Sequence, residues 1–107
     1  MNSTTGLALF ISHRTASGQR DAVRAVWERH MAPAIRDNPG HLAYYYCYDT
    51  SDEDVLRVFQ LYRDRAASEA FLNHPNYAAY LAESRPLLAS APEIHEACPA
   101  WTKKEEA

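Results

Sequence analysis

The segment HLAYYYCYDTSDEDVLRVFQLYR, His41 to Arg63, restricts the fold of this chain more than any other stretch. Two runs of β-favouring residues flank a polar, acidic tip, TSDED, which predicts an antiparallel hairpin of strands His41–Asp49 and Val55–Arg63. Side chains alternate between the faces of a strand. Leu42, Tyr44, Tyr46 and Tyr48 are therefore expected on one face, with Ala43, Tyr45 and Cys47 on the other. In the second strand Leu56, Val58 and Tyr62 oppose Val55, Phe59 and Leu61. Both faces are apolar or aromatic, so both require cover. Helices of the same chain can cover one. A second copy of the sheet, packed face to face, is expected to cover the other, because large exposed apolar patches are rare. A homodimer follows as an expectation.

The remaining elements fit around this hairpin. LALFISH (Leu7–His13) reads as a strand, and TASGQ as a turn with Ser17 as the expected N-cap. Val23, Val26, Trp27, His30, Met31, Ala34 and Ile35 recur at helical steps and predict one long amphipathic helix. Asn38-Pro39-Gly40 ends it. After the hairpin come a short helix over Ala66–Asn73, a break at His74-Pro75, and a second helix over Tyr77–Ser90 that Pro86 is expected to loosen. Pro92–Trp101 reads as a last strand weakened by its prolines. The order is β-α-β-β-α-β with a split second helix. It predicts an α+β, ferredoxin-like antiparallel sheet with helices on one side.

A chain of 107 residues suits one domain, with its core over about residues 7–101 and flexible ends at 1–6 and 102–107. A net charge of -3 argues against a general nucleic-acid binder. No apolar run is long enough to span a membrane. The start, MNSTTGLALFISHR, lacks the basic region of a signal peptide, so a cytoplasmic location is expected. Cys47 and Cys98 form no CxxC and are read as reduced thiols. The acidic DTSDED stretch lacks the central glycine of a calcium loop, no histidine pair has metal spacing, and neither a phosphate-binding glycine loop nor GxSxG occurs. No metal and no cofactor are expected.

The run FQLYRDRAASEAFLNHPNYAAYL resembles the antibiotic biosynthesis monooxygenase domain family, whose fold is the dimeric α+β barrel. The strand-helix start, the NPG entry to a tyrosine-rich strand and RPLLASAPE before the last strand extend the resemblance from about Leu7 to Trp101. The resemblance implies a dimer with a pocket between sheet and helices in each protomer. It implies oxygenation of quinols, anthrones or similar electron-rich aromatics by O2, without metal or flavin. Other members of the superfamily bind or degrade haem. The chain departs from the family pattern at three positions: Gln60 stands where a glutamate is common, and Phe71 and Asn76 where histidines are common. Tyr62 stands where haem-degrading relatives carry a tryptophan.

Cofactor-free oxygenation needs a base that ionises a phenolic substrate, and histidine titrates in the right range. His74, beside the helix break, is the expected catalytic residue. His13 and His41, at strand ends, can sit at a pocket mouth; His30 falls on the apolar stripe beside Trp27, and His95 receives no role. Trp27, Tyr44, Tyr46, Gln60, Tyr62, Tyr77 and Tyr80 are the expected walls for a planar ligand. Arg57, on an apolar strand face, is expected to pair with an acid across the dimer or to meet a ligand anion. A non-catalytic dimer that binds a hydrophobic metabolite is the alternative, with haem binding behind it.

Overall fold

The structure, a computed structural model, describes residues 6–103. The ends expected to be flexible lie mostly outside the described residues. The elements are β1 (Leu7–Arg14), α1 (Arg20–Arg36), β2 (His41–Tyr48), β3 (Val55–Tyr62), α2 (Arg65–Phe71), α3 (Pro75–Ser84) and β4 (Glu93–Ala97), with a 3₁₀ turn over Arg85–Leu87. The four strands form one antiparallel sheet in the order β2-β3-β1-β4. This is the ferredoxin-like α+β arrangement with a split second helix.

All three α-helices pack on one face of the sheet. Val26, Met31 and Ala34 of α1, Ala67 and Phe71 of α2 and Tyr80 of α3 meet Leu7 and Tyr62 in one buried cluster. A second cluster joins Val23 of α1 to Leu56 and Val58 of β3. The two long helical elements are also clamped at the surface. His30 and Arg29 of α1 both reach Glu83 of α3, and the Asn76 side-chain amide donates to the His30 carbonyl at 2.9 Å.

Helix boundaries follow local chemistry, with some departures from expectation. Ser17 is not the N-cap of α1. The helix starts at Arg20 after Gln19, which makes no side-chain cap bond. Gly18 takes φ 76° in the preceding turn, and its N–H donates to Asp54 Oδ1 at 3.0 Å. Asp64 caps α2 by accepting the Ala67 N–H at 2.8 Å. The expected Tyr77–Ser90 helix stops at Ser84, because Pro86 has no N–H for an α-helical bond and the chain tightens into the 3₁₀ turn. Strand β4 is shorter than the expected Pro92–Trp101 and is exposed throughout.

Strand parity fails at one place. His41 pairs with Tyr62 and Ala43 with Leu61, so Leu42 is an extra residue in β2. A bulge of this kind re-aims neighbouring side chains. Leu42, expected beside Tyr44, is instead 59% exposed. His41 turns to the helix side, with its ring 4.3 Å from Tyr62 and 4.7 Å from Phe71.

The other face of the sheet carries Phe10, Tyr45 and Phe59. Their rings lie in a row, with centroids 5.2 and 6.2 Å apart. Phe10 is 49% and Tyr45 62% exposed. Arg57 lies on this same face. It bonds Asp49 Oδ1 and Ser12 Oγ of its own chain, each at 2.8 Å, and so faces away from the helix layer.

Candidate functional site

Between the sheet and the helices lies a cavity of about 310 Å³. Its floor is the inner face of the sheet. Leu9, Ile11 and His13 come from β1, Tyr44 and Tyr46 from β2, and Val58, Gln60 and Tyr62 from β3. These positions alternate along each strand, which is why they share a face. Trp27 and Met31 of α1, Phe71 of α2, and Tyr77 and Tyr80 of α3 form the opposing wall. Glu96 of β4 lies at the rim, where its carboxylate pairs with Arg65 at 3.0 Å.

The aromatic walls are braced. The Trp27 indole N–H donates to the Tyr44 hydroxyl at 3.0 Å, and its ring lies 4.5 Å from that of Tyr46. Burial pushes the hydroxyls of Tyr44, Tyr46, Tyr62, Tyr77 and Tyr80 above the usual phenol range. They therefore stay neutral at ordinary pH and act as hydrogen-bonding groups. Burial lowers the pKa of His13, so its ring is neutral at physiological pH.

Among the described residues, the Tyr46 hydroxyl and His13 Nδ1 are buried with no hydrogen-bond partner. Gln60 is buried too, and its Oε1 meets His41 Nε2 at 3.0 Å. Among the described residues its amide nitrogen has no hydrogen-bond partner. The Gln60 amide, on the wall of an otherwise apolar cavity, is the point at which a ligand would be oriented.

The fold brings Trp27, Tyr44, Tyr46, Gln60, Tyr62, Tyr77 and Tyr80 together around this one space. His74 does not join them. It caps α3, with Nδ1 accepting the Asn76 N–H at 3.0 Å, and it borders a separate surface groove with Pro33, Ala34, Asp37, Asn38 and Asn76. The reason is local: Pro75 starts the helix, which leaves the preceding residue in the capping position. His13 takes the inward place instead. Its parity with Leu7, Leu9 and Ile11 in β1 is the sequence signal that points there. His41 had no such signal, because only the Leu42 bulge turns it inward.

Comparison with known proteins agrees with this architecture. The sequence pattern of the family described as Antibiotic biosynthesis monooxygenase matches residues 7–83. Among solved structures, a candidate antibiotic biosynthesis monooxygenase from Chloroflexus aurantiacus is 28% identical, with a TM-score of 0.79 and coverage of 91% of this chain and 95% of that one. Another from Caulobacter crescentus is 19% identical with a TM-score of 0.85, covering 92% of each chain. PA3566 from Pseudomonas aeruginosa is 23% identical with a TM-score of 0.81, covering 94% of this chain and 100% of that one. No curated protein matches the chain. Among the described residues, no helix is long and apolar enough to cross a membrane. With the family pattern spanning β1 to α3 and the same fold in these structures, the chain belongs to the antibiotic biosynthesis monooxygenase family.

Proposed function

We propose that the protein is a cofactor-independent monooxygenase that takes a small electron-rich aromatic, such as a quinol, anthrone or polyphenol, into this cavity and oxidises it with O2. The observation that carries the reading is the aromatic-walled cavity with a neutral, partly buried imidazole on its floor. His13 takes a proton from the substrate, and the resulting anion gives up an electron to O2 far more readily than its neutral parent. Recombination forms a carbon–oxygen bond. For an anthrone the CH2 group and O2 become a carbonyl and water, which balances without another reductant. Gln60 orients a substrate oxygen, and Trp27, Tyr46, Tyr62, Tyr77 and Tyr80 enclose its rings.

In this reading His13, not His74, is the base. Gln60 favours the second reading, a protein that binds such an aromatic without reaction, since a neutral amide can orient a ligand but cannot take its proton. Oxygen consumption separates the two. With hydroquinones and anthrones, uptake above autoxidation that His13→Ala abolishes supports the enzyme. Binding without uptake supports the second reading. We also place a second copy of the chain against Phe10, Tyr45 and Phe59, because an aromatic sheet face of this kind calls for cover.

A further inference from the structure

One chain of hydrogen bonds links the α1–β2 loop to the cavity, and its direction is set at its far end. The Gly40 N–H can only donate, and it reaches Asn38 Oδ1 at 3.3 Å. That contact turns Asn38 Nδ2, itself only a donor, toward His41 Nδ1 at 2.9 Å. Nδ1 therefore carries the lone pair, and the proton of the neutral ring resides on Nε2. From there it is donated to Gln60 Oε1 at 3.0 Å. With its oxygen engaged, Gln60 presents its NH2 group to the cavity.

We infer that the chain Asn38–His41–Gln60 gives the cavity a fixed hydrogen-bond polarity: it selects ligands that offer an acceptor oxygen, a carbonyl or an ionised phenol, at Gln60, and disfavours those that offer a donor there. Asn38 and His41 are positioning residues, and Gln60 is the contact. The inference rests on this cavity being the ligand site and not on the oxygenation. The loop fits the role. The Leu42 bulge turns His41 inward, and Gly40 lies so close to α2 that a Cβ there would come 2.8 Å from that of Ala67. The imidazole is thus held at both nitrogens and by its ring contacts with Tyr62 and Phe71.

Three tricycles of one shape test it: fluorenone offers only an acceptor, carbazole only a donor, and fluorene neither. Equilibrium dialysis should show the protein binding fluorenone roughly tenfold or more tightly than carbazole, the size expected when a buried donor faces a donor. Asn38→Asp accepts from both Gly40 and His41 and so moves the ring proton to Nδ1. Gln60 then turns its NH2 to His41 and its oxygen to the cavity. At about pH 8.5, where the ring is neutral, that variant should lose or invert the preference. Ring nitrogen NMR shifts should report the proton on Nε2 in the parent and on Nδ1 in the variant. Gln60→Leu leaves the loop intact and should bring fluorenone and fluorene to similar affinity. Preference of the parent for carbazole, an unchanged ratio in Asn38→Asp, or binding of none of the three would overturn the inference. A shifted ratio without oxygen uptake from any quinol or anthrone would leave it standing and remove only the oxygenase reading.

Discussion

Trp27 Nε1 lies 3.0 Å from the Tyr44 hydroxyl, which ties α1 to β2 across one end of the cavity. Trp27→Phe keeps a flat ring but removes the donor and part of the packing. We expect a loss of about 1–3 kcal/mol, a lost hydrogen bond plus incomplete filling. Urea unfolding monitored by far-ultraviolet circular dichroism would measure it, and an unchanged midpoint would mean that the bond contributes nothing.

Among the described residues the buried Tyr46 hydroxyl has no hydrogen-bond partner. Tyr46→Phe should therefore leave stability unchanged or raise it by up to about 1 kcal/mol. Urea unfolding measures it, and a clear loss of stability would mean that the hydroxyl does find a partner.

His13 and His41 both sit below the ordinary imidazole value of 6.5, chiefly because burial penalises the charged ring; the bond to Gln60 partly opposes this in His41. As pH falls through about 6.5 the unfolded chain takes up protons that the folded chain refuses. Stability should therefore be level above that pH and decline below it, until the folded-state rings protonate as well. Carboxylates held low by arginines, Asp49 at about 2 among them, act only at more acidic pH. The urea midpoint should drop between about pH 7.5 and 5.5, and drop less in His13→Asn. An equal drop in that variant would clear His13 of the effect.

Gly40 is required by space. A Cβ there would lie 2.8 Å from the Ala67 Cβ, and neither group can swing aside. Gly40→Ala should destabilise the fold by about 1–3 kcal/mol through overpacking between the loop and α2. Combining it with Ala67→Gly should recover part of the loss, which a purely conformational effect at residue 40 would not allow.

The face bearing Phe10, Tyr45 and Phe59 supplies the remaining test. If a second copy covers it, sedimentation should give a dimer, and Tyr45→Asp with Phe59→Asp should give a folded monomer. A monomeric parent would remove the dimer from this account.

Much of the architecture is legible in the sequence. Alternation in β1 and β3, the helical recurrence from Val23 to Ile35 and the His74-Pro75 break are local patterns, and they carry the element order and the sheet's two faces. The aromatic walls follow from the same patterns, because Tyr44, Tyr46 and Tyr62 share a parity that the pleat preserves. The ends of elements were less legible. The 3₁₀ turn at Pro86 and the short β4 depend on where backbone donors run out.

The chain's own pattern thus determined the sheet, the helices that cover it and the aromatic character of the space between them. Only the tertiary structure decided where the histidines stand relative to that space: His13 lines it, and His41 stands behind Gln60. His74 is retained by its helix as a cap, while a single extra residue at Leu42 turns His41 inward, where Asn38 and Gln60 engage both of its nitrogens. A bulge shifts the strand register by one residue, and one residue exchanges the two faces of a strand. Periodicity in a sequence does not record that shift, because it arises where two strands pair.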